Sequence, residues 1–317
     1  MPRNGFWARG ARWLDALPHP PIACEIAAGH VAAARWSRRG FSLQDYAVEA
    51  LPAGAVVPSP VEPNIVAAEV VREKLQRLME RLQVRGQQGT LLLPDQVVRV
   101  FLLHFDTFPK APDEAVPLLR WRLKKSVPFD VEDTVVSYMK QPARGAGVDI
   151  LAGMARQRIV RQYEELAESV ALSPGVVLSS TLATLPLLDD PRPTLLARLS
   201  GATLTTVITR GDLLCVYRCA EVSDEAARLA PQVLLDEIYP AIAYFQDTWQ
   251  EPVGVVRLAG LGPRFEEFRR VVQAELPCVI TPLMPPERVV ERSPGDARAL
   301  MDRQLDSLVG WMMNRVA

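Results

Sequence analysis

The sequence predicts an α/β protein built from two related halves. Three observations carry this. Apolar runs alternate with segments of helical period, the order of strand meander followed by helix occurs twice, and 317 residues suffice for about two domains. With 49% hydrophobic and 23% charged residues, the chain can bury a substantial core.

The chain begins with "PRNGFWARGARWLDAL", where Phe6, Trp7, Trp13, Leu14 and Leu17 lie among Arg3, Arg9 and Arg12. This basic amphipathic extension over 1–20 fits either a helix docked on its own domain or a contact with a lipid headgroup region or partner. "PHPP" then stops any helix. Residues 22–36 and 42–50 read as a strand meander and 58–63 as a connector. A helix is expected over 64–82, capped by Asn64, because Ile65, Ala68, Val71, Leu75, Leu78, Met79 and Leu82 repeat at helical spacing. "GTLLLPDQVVRVFLLHF" gives two apolar strands broken at Pro94-Asp95, and a helix over 113–126 opens on Asp113 and Glu114. Strands at "TVVSYMK" and "VDILAGMA", a helix over 158–171 and a strand near "GVVLSS" complete the half.

The second half repeats the pattern. Residues 194–219 read as a pair of strands around Arg210-Gly211-Asp212, followed by a helix over 232–249, a strand over 253–259 and a helix over 263–275. Asp189-Asp190 in "LLDDPRP" fits a turn or hinge between the halves rather than an acid/base pair. The tail 296–317 reads as an amphipathic helix with Leu300, Met301, Leu305, Leu308, Val309, Met312 and Met313 in one stripe, expected to pack on the first lobe.

Several function classes are disfavoured. A formal net charge of -1 supplies no global field for nucleic acid or an anionic membrane. No run approaches the roughly 18 apolar residues of a membrane span, and no secretory leader is legible, so a cytoplasmic protein is expected. Phosphate-loop, dinucleotide, zinc-protease and nucleophile-elbow motifs do not occur. With only His19, His30 and His104 in the chain, an acid/base or metal enzyme is not expected, and neither catalytic nor metal-ligating residues are assigned. Four cysteines are too few for a disulfide framework, and Cys215 and Cys219 lack a histidine to complete a zinc site.

Two stretches carry a resemblance. "LLLPDQVVRVFLLHFDTFPKAPDEAVPLLRWRLKKSVPFDVEDTVVSYM" resembles the region of PilM-family type IV pilus proteins in which a strand pair with a proline-aspartate turn precedes an acid-started helix with a central tryptophan. A "PF" and an extended strand then follow. "LLDEIYPAIAYFQDTWQEPVGVVRLAGLGPRFEEFRRVVQAELPCVI" resembles the closing block of that family, with a glycine turn before a helix. The likeness spans most of 20–285. It implies an actin-like (ribonuclease H-like) two-lobed fold with a small inserted subdomain: a first lobe over 21–190, an insert at about 91–171, and a second lobe with the C-terminal helix over 191–317.

In actin-like proteins three loops hold the nucleotide. In this chain the first, "ACEIAAGHV", keeps an acid at Glu25, but Ala27, Ala28 and Gly29 replace the expected glycine-serine turn and His30 adds bulk. Gly29 also fits a plain hairpin turn, and His30 a strand-end residue. In the second, "LLARLSGATLT", Arg198 stands where the resemblance places an acid, which removes a metal-orienting charge but leaves an electrostatic contact to phosphate open. The third, "LAGLGPRF", retains Gly260 and Gly262 ahead of a helix.

The resemblance therefore implies a scaffold rather than an enzyme, with no cofactor or weakly bound ATP at a degenerate cleft of Glu25, Gly29, Gly260 and Gly262. Its expected partner is the cytoplasmic tail of a PilN-like inner-membrane protein, docking near the insert. The basic run Arg120, Arg122, Lys124 and Lys125 fits a solvated helix face or a patch for an acidic partner or lipid. An ATP-binding actin-like protein and a GspL-like type II secretion component remain alternatives. GspL-like chains continue into a membrane helix, whereas this sequence stops after "LVGWMMNRVA".

Overall fold

The computed structural model describes residues 20–37, 43–142, 145–226, 228–285 and 294–313. The amphipathic extension expected over 1–20 lies, apart from Pro20, outside them.

Two five-stranded sheets share one topology. The first takes β1 (Ile22–Ile26), β2 (His30–Trp36), β3 (Leu43–Ala50), β4 (Gln87–Leu93) and β8 (Leu172–Ser179), in the order β3-β2-β1-β4-β8. The second takes β9 (Thr194–Ser200), β10 (Thr203–Arg210), β11 (Leu213–Glu221), β12 (Val255–Ala259) and β13 (Val279–Pro282), in the order β11-β10-β9-β12-β13. Each is an antiparallel meander of three strands extended by two parallel ones, so β9 occupies in the second sheet the place of β1 in the first. Residues 194–219 thus hold parts of three strands rather than the expected pair.

Helices cover the outer faces. α1 (Ala68–Arg81) and α3 (Gln157–Glu168) pack on the first sheet, burying Val71, Leu75, Leu78, Met79, Ile159 and Tyr163 with Ile22, Cys24 and Ile26. α5 (Pro231–Trp249) and α6 (Phe265–Glu275) cover the second, where Ile238, Phe245 and Phe268 meet Leu195, Ala197 and Leu199.

Asn64 does not cap α1. The helix begins at Ala68, and Asn64 is buried in the preceding loop. Its Nδ2 donates to the carbonyls of Ser59 and Glu62, while its Oδ1 accepts from Ser59 N and the Tyr163 hydroxyl. The side chain that suits an N-cap here closes a loop instead, since both tasks need a short hydrogen-bonding group.

The inner faces of the sheets share a third core with α4 (Ser180–Thr184), α7 (Pro294–Asp302) and α8 (Asp306–Met313). The expected single tail helix is two helices joined at a turn, and α8 does pack on the first lobe, against α4 and β1. The approach is close: a Cβ on Gly310 would lie 2.3 Å from the Ala183 carbonyl oxygen. Trp311, fully buried beside Leu308 and Val309, joins the expected apolar stripe.

The insert is a separate sheet, β5 (Arg99–Phe105), β7 (Val148–Arg156) and β6 (Thr134–Gln141) in the order β5-β7-β6, backed by α2 (Pro112–Leu123) through Leu119, Leu123 and Ile150. This unit spans 99–156, shorter than the expected 91–171, because Leu91 and Leu93 in β4 and Ile159 and Tyr163 in α3 are committed to the first-lobe core.

Candidate functional site

Strand alternation builds the site. In β1, Ile22, Cys24 and Ile26 enter the outer core, so Ala23 and Glu25 point inward. In β9, Leu195, Ala197 and Leu199 enter the outer core of the second lobe, so Leu196 and Arg198 point inward. Corresponding strands of the two sheets thereby aim an acid and a base at each other. Arg198 Nη2 lies 3.6 Å from Glu25 Oε1, and both side chains are buried.

Two more carboxylates converge on the same guanidinium. Asp306, the first residue of α8, accepts from Arg198 Nε at 2.6 Å. Asp95, in the turn just after β4, has Oδ2 3.6 Å from Arg198 Nη1. It is further held by Thr181 N at 2.9 Å, by the hydroxyl of Thr181, by the Thr205 hydroxyl at 2.9 Å and by the Tyr217 hydroxyl at 3.4 Å. His30 Nε2 stands 3.7 Å from Glu25 Oε2, within ion-pair range but beyond hydrogen-bond distance.

The titration behaviour follows from this crowding. Burial opposes the charge of Arg198, but Asp306, Asp95 and Glu25 more than offset it, and its pKa is raised. Burial pushes Glu25 upward, yet His30, Arg198 and Ser307 together leave it below the ordinary carboxylate value. Burial dominates at Asp306, which stays above its ordinary value despite Arg198, with Glu25 adding to the rise. Burial, aided by Glu25 and Asp95 respectively, pushes the Cys24 and Cys219 thiols up to about 12, so neither is a nucleophile at neutral pH.

The sequence singled out Glu25 and Arg198, and the structure joins them. It missed Asp95 and Asp306, whose only local signals are a turn acid after proline and an acid at the start of an apolar helix.

Gly29 lies in the β1–β2 turn with open space where a Cβ would be, so nothing there requires glycine. Gly260, at φ +80°, follows β12, and a Cβ on it would lie 1.8 Å from the Leu199 carbonyl oxygen. Its role in this fold is the close approach of β12's end to β9. Gly260 and Gly262 instead edge a cavity of about 340 Å³ that also meets Phe265, Met301, Asp302 and Asp306. Its lining holds Asp302 and Asp306, the latter paired with Arg198, and neither lysine nor arginine among the described residues, so nothing in it supplies a cation for a polyphosphate.

A Mg-nucleotide does not fit these residues. The guanidinium of Arg198 takes up the carboxylates that a metal would need, and the cavity beside the glycine loop offers no lysine or arginine among the described residues. No cluster of three or more metal-ligating side chains suited to an ion occurs among the described residues. No described helix is long and apolar enough to cross a membrane.

No protein-family profile matches the sequence, and no curated protein matches it either. Among solved structures, a chain of the PilM–PilN type IV pilus biogenesis complex superposes with a TM-score of 0.74 at 18% identity, over 95% of this chain and 100% of that one. The cytoplasmic domain of EpsL, an inner-membrane component of the Vibrio cholerae type II secretion system, gives a TM-score of 0.48 at 14% identity, over 75% of this chain and 80% of that one. A Bacteroides thetaiotaomicron protein of actin-like ATPase fold and unknown function gives 0.48 at 11% identity, covering 83% and 90%. The repeated sheet topology and the match at a TM-score of 0.74 define a two-lobed α/β protein of the actin-like fold expected from the sequence. Within that class the chain is PilM-like in fold.

Proposed function

We propose that this protein is a cytoplasmic scaffold of a type IV pilus machine, peripheral to the inner membrane. In this reading it binds the cytoplasmic tail of a PilN-like membrane protein and links the envelope complex to the motor. The observation that carries the reading is the likeness, over nearly the whole chain, to a chain of a PilM–PilN complex. The tail docks on the first lobe beside the insert, where β5 and β6 are the edges of a three-stranded sheet and can accept an added strand.

The reading is of a binding protein rather than an enzyme. What supports it is that Arg198 of the second sheet is already paired with Glu25 and Asp95 of the first lobe and with Asp306 of α8, so the charged groups of the cleft are engaged with one another.

The test is calorimetric titration of the full chain with a peptide of the N-terminal cytoplasmic segment of the neighbouring PilN-like protein, with and without Mg-ATP. Saturable micromolar binding, unchanged by Mg-ATP, is expected. Absence of binding in both conditions would overturn the tail-binding role, and binding only with Mg-ATP would return the protein to the nucleotide-dependent class.

A further inference from the structure

Two exposed aromatic patches of opposite charge lie outside the cleft. On α2 the inward residues are Ala115, Leu119 and Leu123. Trp121, spaced two residues from both leucines, falls on the opposite face and is 74% exposed. Arg122 at the end of α2 and Lys124 and Lys125 in the turn after it follow within four residues, all exposed and none in an ion pair among the described residues. An exposed indole is an aromatic anchor of the kind that interface centres favour, and the cations beside it suit a polar rim.

On α5 the arrangement recurs with the other sign. Leu234, Leu235, Ile238, Ala241, Ile242 and Phe245 face the second sheet. The outer face carries Asp236, Tyr239, Tyr244 and Asp247, and its tyrosines are 59% and 56% exposed. By helical spacing the two aspartates lie along the middle of this face with a tyrosine on either flank. Asp236 accepts from Gln232 Nε2 at 2.9 Å, and neither aspartate is in an ion pair among the described residues.

We propose that these two surfaces form one interface between copies of this chain. The α2 face of one copy docks on the α5 face of the next, with Trp121 between Tyr239 and Tyr244 and the cations Arg122, Lys124 and Lys125 against Asp236 and Asp247. The charge complementarity selects a second copy as the occupant. An anionic bilayer would suit the basic patch and be repelled by the acidic one, whereas a second copy uses both. Because the two faces differ, the contact is head-to-tail, and every copy keeps one face of each kind available to a neighbour. Aromatic and arginine side chains are the groups that dominate such contacts, and the charges set their register.

The test is sedimentation velocity of the full chain over a rising concentration series at low and high salt. Wild type is expected to gain mass with concentration and to lose it as salt screens the charges. Two variants are compared, Arg122→Glu/Lys125→Glu and Asp236→Lys/Asp247→Lys. All four positions are exposed, and circular dichroism is expected to stay unchanged. Each variant alone should associate at least ~10-fold more weakly, and an equimolar mixture should recover association because the reversed faces are again complementary. Three results would overturn the proposal: a wild type that remains monomeric throughout, variants that associate as wild type does, or a mixture that fails to recover. A monomeric wild type that binds phosphatidylserine vesicles, and loses that binding in Arg122→Glu/Lys125→Glu, would assign the basic patch to a membrane instead.

Discussion

Arg198 Nε donates a 2.6 Å hydrogen bond to Asp306 Oδ2, pinning the middle strand of the second sheet to the first residue of α8. α8 in turn packs on α4 and β1 of the first lobe. A single guanidinium therefore connects three parts of the chain that are far apart in sequence: β1 through Glu25, the turn after β4 through Asp95, and α8.

Removing that guanidinium should be strongly destabilising. Arg198→Met leaves three buried carboxylates facing one another, and breaking a buried ion pair from one side costs about 3–5 kcal/mol. Urea unfolding followed by circular dichroism measures it. A loss below about 1 kcal/mol would mean that the carboxylates are stabilised by something other than Arg198.

The pH dependence follows from Glu25. Its folded pKa lies below its ordinary value, so its ionisation stabilises the fold above the unfolded carboxylate pKa, and that contribution is lost as pH falls through the lower folded value. Asp306 has the opposite sign: its raised pKa means that ionisation is disfavoured in the fold as pH rises from its ordinary value. The stability gap between wild type and Glu25→Gln should thus be widest near neutral pH and shrink in acid below the ordinary carboxylate range. Urea midpoints at a series of pH values test this, and a gap constant with pH would contradict it.

The two loop glycines should respond differently to alanine. Gly260→Ala places a methyl group against the Leu199 carbonyl at a positive φ, and strain plus clash should destabilise by about 3 kcal/mol or more. Gly29→Ala meets open space and should stay within about 0.5 kcal/mol of wild type. Thermal unfolding of both variants separates a packing glycine from a turn that tolerates a side chain, and equal losses would refute the assignment.

Mg-ATP should leave the melting temperature unchanged. A ligand present at about 100 times its Kd stabilises a fold by about 2.7 kcal/mol, a shift that differential scanning fluorimetry resolves. The lack of a lysine or arginine in the described lining of the cavity beside Gly260 and Gly262 and the occupied carboxylates around Arg198 both argue for no shift. A concentration-dependent rise would show that the cleft still takes nucleotide.

Much of the fold is legible in the sequence because it is local. The helical spacing of Val71, Leu75, Leu78 and Met79 marks α1, and the apolar runs around Leu91–Leu93 and Leu195–Leu199 mark buried strands. Glu25 stands out as a charge inside a strand whose neighbours are apolar, whereas Arg198 is marked by the resemblance, which places an acid at its position. Asn64 was legible only as a residue type, since a cap and a loop clamp use the same side chain.

The apolar strands that carry Glu25 and Arg198 and the apolar stripe of the C-terminal segment are local features, readable along the chain. That Glu25 and Arg198 face each other, that Asp95 and Asp306 complete their environment, and that Gly260 serves packing rather than phosphate emerge from the folded contacts. The reason is separation along the chain. Arg198 and Asp306 are 108 residues apart and Thr205 and Asp95 are 110 apart, and strand or helix period relates only near neighbours. Contacts across the two lobes exist only once both sheets have formed and closed on each other.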